Sequence, residues 1–152
     1  MGPMFMPNFM IKNIIIDFKR TVYDPENSTL LESALDGLKA LKEKGFYIRL
    51  VGKGSEMEIL PIIERLRISS FFDDICIDDD KEKFFNNIEE PSAWLVIGDR
   101  VHKEILFGGQ RGMKTIWLKN GKFSIEEPKA DQKPPDYIVS SWKEMIEIIK
   151  KL

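Results

Sequence analysis

Apolar runs and polar breaks alternate along this chain with two different periods. Ile14, Ile15 and Ile16 form a short β-branched run that stops abruptly at Asp17, the pattern of a strand buried on both faces. Residues 23–28, with Pro25 and Asn27, read as a loop. Leu30, Leu31, Ala34, Leu35, Leu38 and Leu41 then recur at helical spacing, and Gly45 supplies the stop. Phe46 to Val51 predicts a second strand, which runs into the turn Gly52-Lys53-Gly54-Ser55. Ser55 suits the N-cap of a helix carrying Met57, Ile59, Leu60, Ile62, Ile63 and Leu66. Pro61 counts against that helix unless it falls in the first turns.

Asp74 to Ile77 predicts a third strand and Lys81 to Ile88 a short helix. Ala93 to Ile97 predicts a fourth strand that ends in Gly98-Asp99. Val101, Ile105 and Leu106 suit a helix that stops near Gly108-Gly109, and Thr115 to Leu118 a fifth strand before an Asn120-Gly121 turn. An extended polar linker over residues 127–135 leads to Tyr137-Ile138-Val139 and a last helix with Trp142, Met145, Ile146, Ile148, Ile149 and Leu152. Strands alternating with helices at this spacing predict an α/β fold: a three-layer, Rossmann-like α/β/α domain with a mostly parallel sheet. The expected domain spans residues 11–152, with residues 1–10, which contain Pro3 and Pro7, as a loose leader.

Composition narrows the function classes. The chain carries 23 Lys and Arg against 25 Asp and Glu, interspersed, so no one-signed field points to nucleic acid or a membrane surface. It contains neither a secretory apolar segment nor an apolar run of membrane length, and the expected location is cytoplasmic. Cys76 is the only cysteine, which excludes an intramolecular disulfide. Set in Ile75-Cys76-Ile77, it reads as a buried, inert thiol. Trp94, Trp117 and Trp142 read as core residues, and His102 as an incidental exposed one.

The recurrence that carries chemistry is an apolar strand ending in a carboxylate, found at both Asp17 and Asp99. In an open parallel sheet ligands bind outside the carboxyl ends of the strands, so these two groups can share a site. Two hard oxygen donors on rigid strand ends suit Mg²⁺ together with water and a substrate phosphate.

The run Asp17-Phe18-Lys19-Arg20-Thr21 resembles the first motif, Asp-x-Asp-x-Thr, of the haloacid dehalogenase-like (HAD) phosphohydrolases. Gly98-Asp99-Arg100-Val101-His102-Lys103-Glu104-Ile105 is similar to that family's fourth motif, with Asp99 on the metal-ligand position and Glu104 on the second acidic one. Gly108-Gly109, the segment Gly112 to Ile116 and the segment Pro135 to Val139 resemble the close of the same fold. The resemblance implies Asp17 as nucleophile and Lys81 as the lysine of the third motif, with Lys83 the alternative. It implies a Mg²⁺ held by Asp17, the Lys19 carbonyl and Asp99, supported by Glu104. Phosphate would be bound by the Gly52-Lys53 turn and Thr21.

Two departures fall on functional positions. Lys19 stands where the family has its general acid, and Gly52 stands where it has a phosphate-binding Ser or Thr. Ser55 is a substitute hydroxyl only if it is not capping a helix. The implied activity is Mg²⁺-dependent hydrolysis of a phosphomonoester through an aspartyl-phosphate on Asp17. The intervals leave no room for a cap domain, so the site would be open. It would admit a phosphorylated small molecule or a bulky phosphorylated substrate, or borrow a lid from another subunit of a homo-oligomer. The alternative is a catalytically silent module that binds a phosphate-bearing ligand or a protein partner. A receiver-type signalling domain would need its aspartate after the third strand, where the chain offers Asp78 to Asp80.

Overall fold

The computed structural model describes residues 10–152. The expected leader lies outside them except for Met10, which is exposed. In chain order the first elements are β1 (Asn13–Asp17), β2 (Tyr23–Asp24), β3 (Thr29–Leu30), α1 (Ala34–Glu43), β4 (Tyr47–Gly52) and α2 (Glu56–Leu66). They are followed by β5 (Asp74–Ile77), β6 (Trp94–Gly98), α3 (Glu104–Gln110), β7 (Lys114–Leu118), β8 (Tyr137–Val139) and α4 (Trp142–Ile149).

Six of the strands pair in parallel in the order β5-β4-β1-β6-β7-β8. The chain builds outward from β1 in one direction and then, from β6, in the other. The strand order therefore reverses between β1 and β6, and a crevice opens there at the carboxyl edge. Side chains alternate across the sheet. Ile14, Ile16, Ile48, Leu50, Leu95, Ile97 and Ile116 join one core with residues of α1, α2 and α4, including Leu38, Ile59 and Trp142. Ile15, Val51 and Val96 join a second, smaller core with Phe85 and Met113. Continuous apolar runs are what strands covered on both faces require.

The structure departs from the sequence pattern in four places. Residues 23–30 form a small antiparallel hairpin of β2 and β3, and α1 begins at Ala34. Leu30 therefore belongs to a strand. Two-residue strands show no periodicity to read. The helix expected from Lys81 to Ile88 is a 3₁₀ turn over Lys81–Phe85. Val101 lies ahead of α3 in a turn, buried with Ile105 and Trp117. Finally, α3 ends at Gln110, near the expected stop, but Gly108 and Gly109 lie inside its last turn. A Cβ at Gly108 would meet Val96 Cγ2 at 2.6 Å, so this glycine permits close helix–sheet packing. Pro61 sits at the sixth residue of α2, past the first turn, on an exposed face.

The three tryptophans are buried, as expected. Cys76 is partly buried; burial first, and then the Asp74 carboxylate beside it, push its thiol up to about 11. Among the described residues no helix is long and apolar enough to cross a membrane.

Candidate active site

The crevice at the strand reversal gathers three carboxylates. Ile16 lies opposite Ile97, so Asp17 ends β1 and Asp99 follows β6 at adjacent strand ends. Asp17, Asp99 and Glu104, the first residue of α3, are all buried, and each offers an oxygen within 4.8 Å of the others. Gly98 makes this approach possible, because a Cβ there would stand 2.8 Å from Glu104 Oε2. Like charges this close repel by at least about 3 kcal/mol at an effective dielectric near 20.

Lys81 provides the first compensation. Its ammonium donates to Asp17 Oδ1 at 2.8 Å and also to Glu104 Oε1, from a side chain 11% exposed. Burial opposes that charge, but Asp17 and then Glu104 outweigh it and hold the ammonium above its ordinary range. Lys83, the alternative, pairs with Asp78 on the surface. The geometry thus brings Lys81, and not Lys83, to the carboxylates.

One ammonium does not balance three acids. Burial, then Asp17 and Glu104, push Asp99 up to about 9, and burial, then Asp17, push Glu104 up to about 7. Asp99 Oδ2 is buried with no hydrogen-bond partner. Once ionised, three carboxylates against one ammonium leave two negative charges, the complement of a divalent cation. Together with an orphaned buried oxygen of the hard type such ions prefer, the residues fit a metal. Glu104 supports this cluster indirectly, since its two oxygens already accept from Lys81 and from the Arg100 N–H.

Thr21 is placed differently from expectation. Fully buried, its hydroxyl reaches Asp17 Oδ2 at 3.3 Å and Asp99 Oδ1 at 3.4 Å, tying the two strand ends together. It is not among the residues that form the cleft wall. Ser55 caps α2 by accepting from the Glu58 N–H at 3.2 Å, so its hydroxyl is engaged. Gly52 closes β4 and its carbonyl accepts from Asp78 N–H. It is absent from the cleft wall, whereas its neighbour Lys53 is part of it.

The cleft has a volume of about 400 Å³, and Asp17, Lys53, Lys81 and Asp99 form part of its wall. Lys19 also lines it, donating to Glu58 Oε2 at 2.9 Å. The cation at the departed acid position is therefore tied to a carboxylate on the first turn of α2. His102 faces Glu126 and not the cleft.

Several site residues escaped the sequence pattern. Glu58, Asp79, Arg20, Arg100 and Phe123 line the cleft from separate segments with no shared spacing. Trp117 Nε1–H donates to the Asp99 carbonyl at 2.9 Å and Trp142 Nε1–H to the Thr21 carbonyl at 2.7 Å. These two core tryptophans thus also fix the backbone of both motif loops. The signal available was that Trp is rarely buried without a partner for its N–H.

Comparison with known proteins agrees with this fold. The sequence profile of the HAD-hydrolase-like family matches residues 51–145. The chain is 26% identical to a glyceraldehyde 3-phosphate phosphatase of Methanopyrus kandleri, over 76% of this chain and 54% of that one. It is 25% identical to the protein of the same name from Pyrococcus furiosus, over 75% of this chain and 52% of that one. The chain thus spans about half the length of these curated relatives. Its fold is shared with the putative HAD-hydrolase YfnB from Bacillus subtilis, solved bound to magnesium. The TM-score is 0.66 at 22% identity, over 80% of this chain and 57% of that one.

Proposed function

The chain belongs to the HAD-hydrolase-like family, and from that premise we propose that it is a Mg²⁺-dependent phosphatase acting through an aspartyl-phosphate on Asp17. The observation that carries this reading is Asp17 itself, buried at a strand end, clamped by Lys81 at 2.8 Å and beside the partnerless oxygen of Asp99. The names of the curated relatives and the magnesium in the related structure support the same chemistry.

Asp17 attacks phosphorus; its carboxylate oxygen forms a P–O bond as the ester P–O bond breaks and the leaving group takes the electron pair. Water then adds to phosphorus and the Asp17 carboxylate departs, so the released phosphate carries the water's oxygen and protons. Lys81 holds Asp17 in place and offsets the charge on the phosphoryl oxygens. Asp17, Asp99 and the Lys19 carbonyl would hold Mg²⁺, with Glu104 fixing Lys81 and the Arg100 backbone behind them. Bound there, the ion would neutralise phosphoryl charge as a Lewis acid. Lys53 adds a cation at the cleft wall. The substrate would be a phosphorylated small molecule or a bulkier phosphorylated molecule, and the expected location remains the cytoplasm.

One observation favours a second reading, a silent module that binds a phosphate-bearing ligand. Lys19, bound to Glu58, is not placed to give a proton to an alkoxide. Phosphate release from a panel of phosphoesters with Mg²⁺ and with EDTA, for wild type and Asp17→Asn, separates the two. Slow, Mg²⁺-dependent turnover that Asp17→Asn abolishes is expected. Turnover unchanged in Asp17→Asn removes the proposed nucleophile.

A further inference from the structure

Arg20 occupies a backbone position that disfavours it. Its φ is +63°, in the left-handed region that favours glycine over any residue with a side chain. Strain of this kind persists where surrounding structure enforces it, and it gathers at functional sites. Here it places the Arg20 side chain in the wall of the Asp17 cleft. The guanidinium carbon lies 5.5 Å from the Phe123 ring centre, and Nε is buried with no hydrogen-bond partner. Arg100, the residue after Asp99, packs on the same ring at 3.8 Å and lines the same cleft.

The two arginines are held but not neutralised equally. Arg20 pairs through Nη2 with Glu26, whose side chain is 60% exposed, a contact of little energetic weight. Arg100 is gripped through Nε and Nη2 by the Glu126 carboxylate, which fixes the plane of the guanidinium and leaves Nη1 for another acceptor. A rigid, forked donor pair beside a phosphoryl-transfer site is suited to a second oxyanion, because guanidinium N–H groups match phosphate geometry.

The missing acid points the same way. With Lys19 bound to Glu58, an alkoxide leaving group has no evident proton source, whereas a phosphate leaves as a stable anion and needs none. We propose that Arg20 and Arg100, braced on Phe123, form a leaving-group subsite for an anionic phosphate, and that the site favours phosphoanhydrides over alkyl phosphomonoesters. This rests on Asp17 as nucleophile. Asp17 bonds to one phosphorus of monoprotonated pyrophosphate, the bridging P–O bond breaks, and the other phosphate, which already carries the proton, departs as hydrogen phosphate with the electron pair against the two guanidinium groups. Water then cleaves the aspartyl-phosphate as before.

The test compares three phosphoryl donors with Mg²⁺: inorganic pyrophosphate, p-nitrophenyl phosphate and β-glycerophosphate. The aryl ester has a good leaving group but no second anion, so it reports the Asp17 chemistry alone. Wild type is expected to turn over pyrophosphate with at least 10-fold higher kcat/KM than β-glycerophosphate. Arg20→Gln and Arg100→Gln should each lower kcat/KM for pyrophosphate about 10- to 100-fold, the usual effect of removing one charged hydrogen-bond donor, and change the aryl ester less than about 3-fold. Arg20→Gly should show the same loss while its melting temperature stays equal or rises, since glycine relieves the strained φ; this separates a binding role from a structural one. Asp17-dependent aryl hydrolysis without a pyrophosphate preference, or equal losses on both substrates, overturns the subsite. Absence of Asp17-dependent hydrolysis of the aryl ester overturns the underlying phosphatase reading instead.

Discussion

Lys81 Nζ stands 2.8 Å from Asp17 Oδ1, in a contact that is almost wholly shielded from water. This ion pair joins a 3₁₀ turn to the end of the central strand, 64 residues away in sequence. A buried pair adds little over an apolar one of the same shape, but breaking it by removing one partner is severe. Here the partner left behind would be a cluster of three carboxylates.

Lys81→Met should therefore lower stability by about 3–5 kcal/mol and abolish Asp17-dependent turnover. Part of the stability should return when Mg²⁺ is added, because the ion supplies charge the lysine no longer does. Urea denaturation with and without Mg²⁺ measures both. A loss below about 1 kcal/mol would mean that the acids neutralise themselves by taking up protons.

The metal-free protein should lose stability as pH rises. Burial and neighbouring acids hold Asp99 at about 9 and Glu104 at about 7, above their ordinary values near 4. Between those limits the folded chain binds more protons than the unfolded one, so the free energy of unfolding falls with increasing pH. Lys81 is raised, so its contribution is complete below its unfolded value and lost only at still higher pH, outside this window. Metal binding displaces the carboxyl protons, so Mg²⁺ should raise the melting temperature more at pH 9 than at pH 5. Melting curves at pH 5, 7 and 9 in EDTA and in Mg²⁺ test the sign. A Mg²⁺ effect largest at pH 5 would contradict it.

Lys19→Asp should restore proton donation to alkoxide leaving groups. The new carboxyl would face Glu58 in place of the ammonium that now pairs with it. A carboxylate near the new group, even out of contact with its shorter side chain, raises its affinity for a proton, which is what a general acid needs near neutral pH. Turnover of β-glycerophosphate should rise by up to about 10²–10⁴-fold, with a much smaller change on p-nitrophenyl phosphate. A fall on both substrates would assign Lys19 a catalytic role of its own.

Trp117→Phe should weaken the site without touching a charged group. It keeps the ring in the core but removes the donor to the Asp99 carbonyl. Leaving a buried acceptor unpaired costs about 1–3 kcal/mol, and the loop bearing Asp99 should loosen. Calorimetry should find weaker Mg²⁺ binding. Unchanged affinity alongside lower stability would confine Trp117 to the core.

The apolar pattern alone specified the sheet and the places where carboxylates leave it. Ile14 to Ile16 and Leu95 to Ile97 are continuous apolar runs because both faces of those strands are covered, and a run that ends in Asp is visible without any contact information. Lys81 is preferred to Lys83 on its position in the motif order alone; that Lys81 meets Asp17 while Lys83 meets Asp78 depends on which way the 3₁₀ turn points them. Thr21 was legible as a motif residue but not as a tie between Asp17 and Asp99, which depends on the pairing of β1 with β6. The meeting of Arg20, Arg100 and Phe123 was decided by tertiary structure alone. Periodicity reports which face of an element is buried. It carries no information on which three loops a parallel sheet gathers at one edge, because that follows from strand order, and strand order is set by long-range packing.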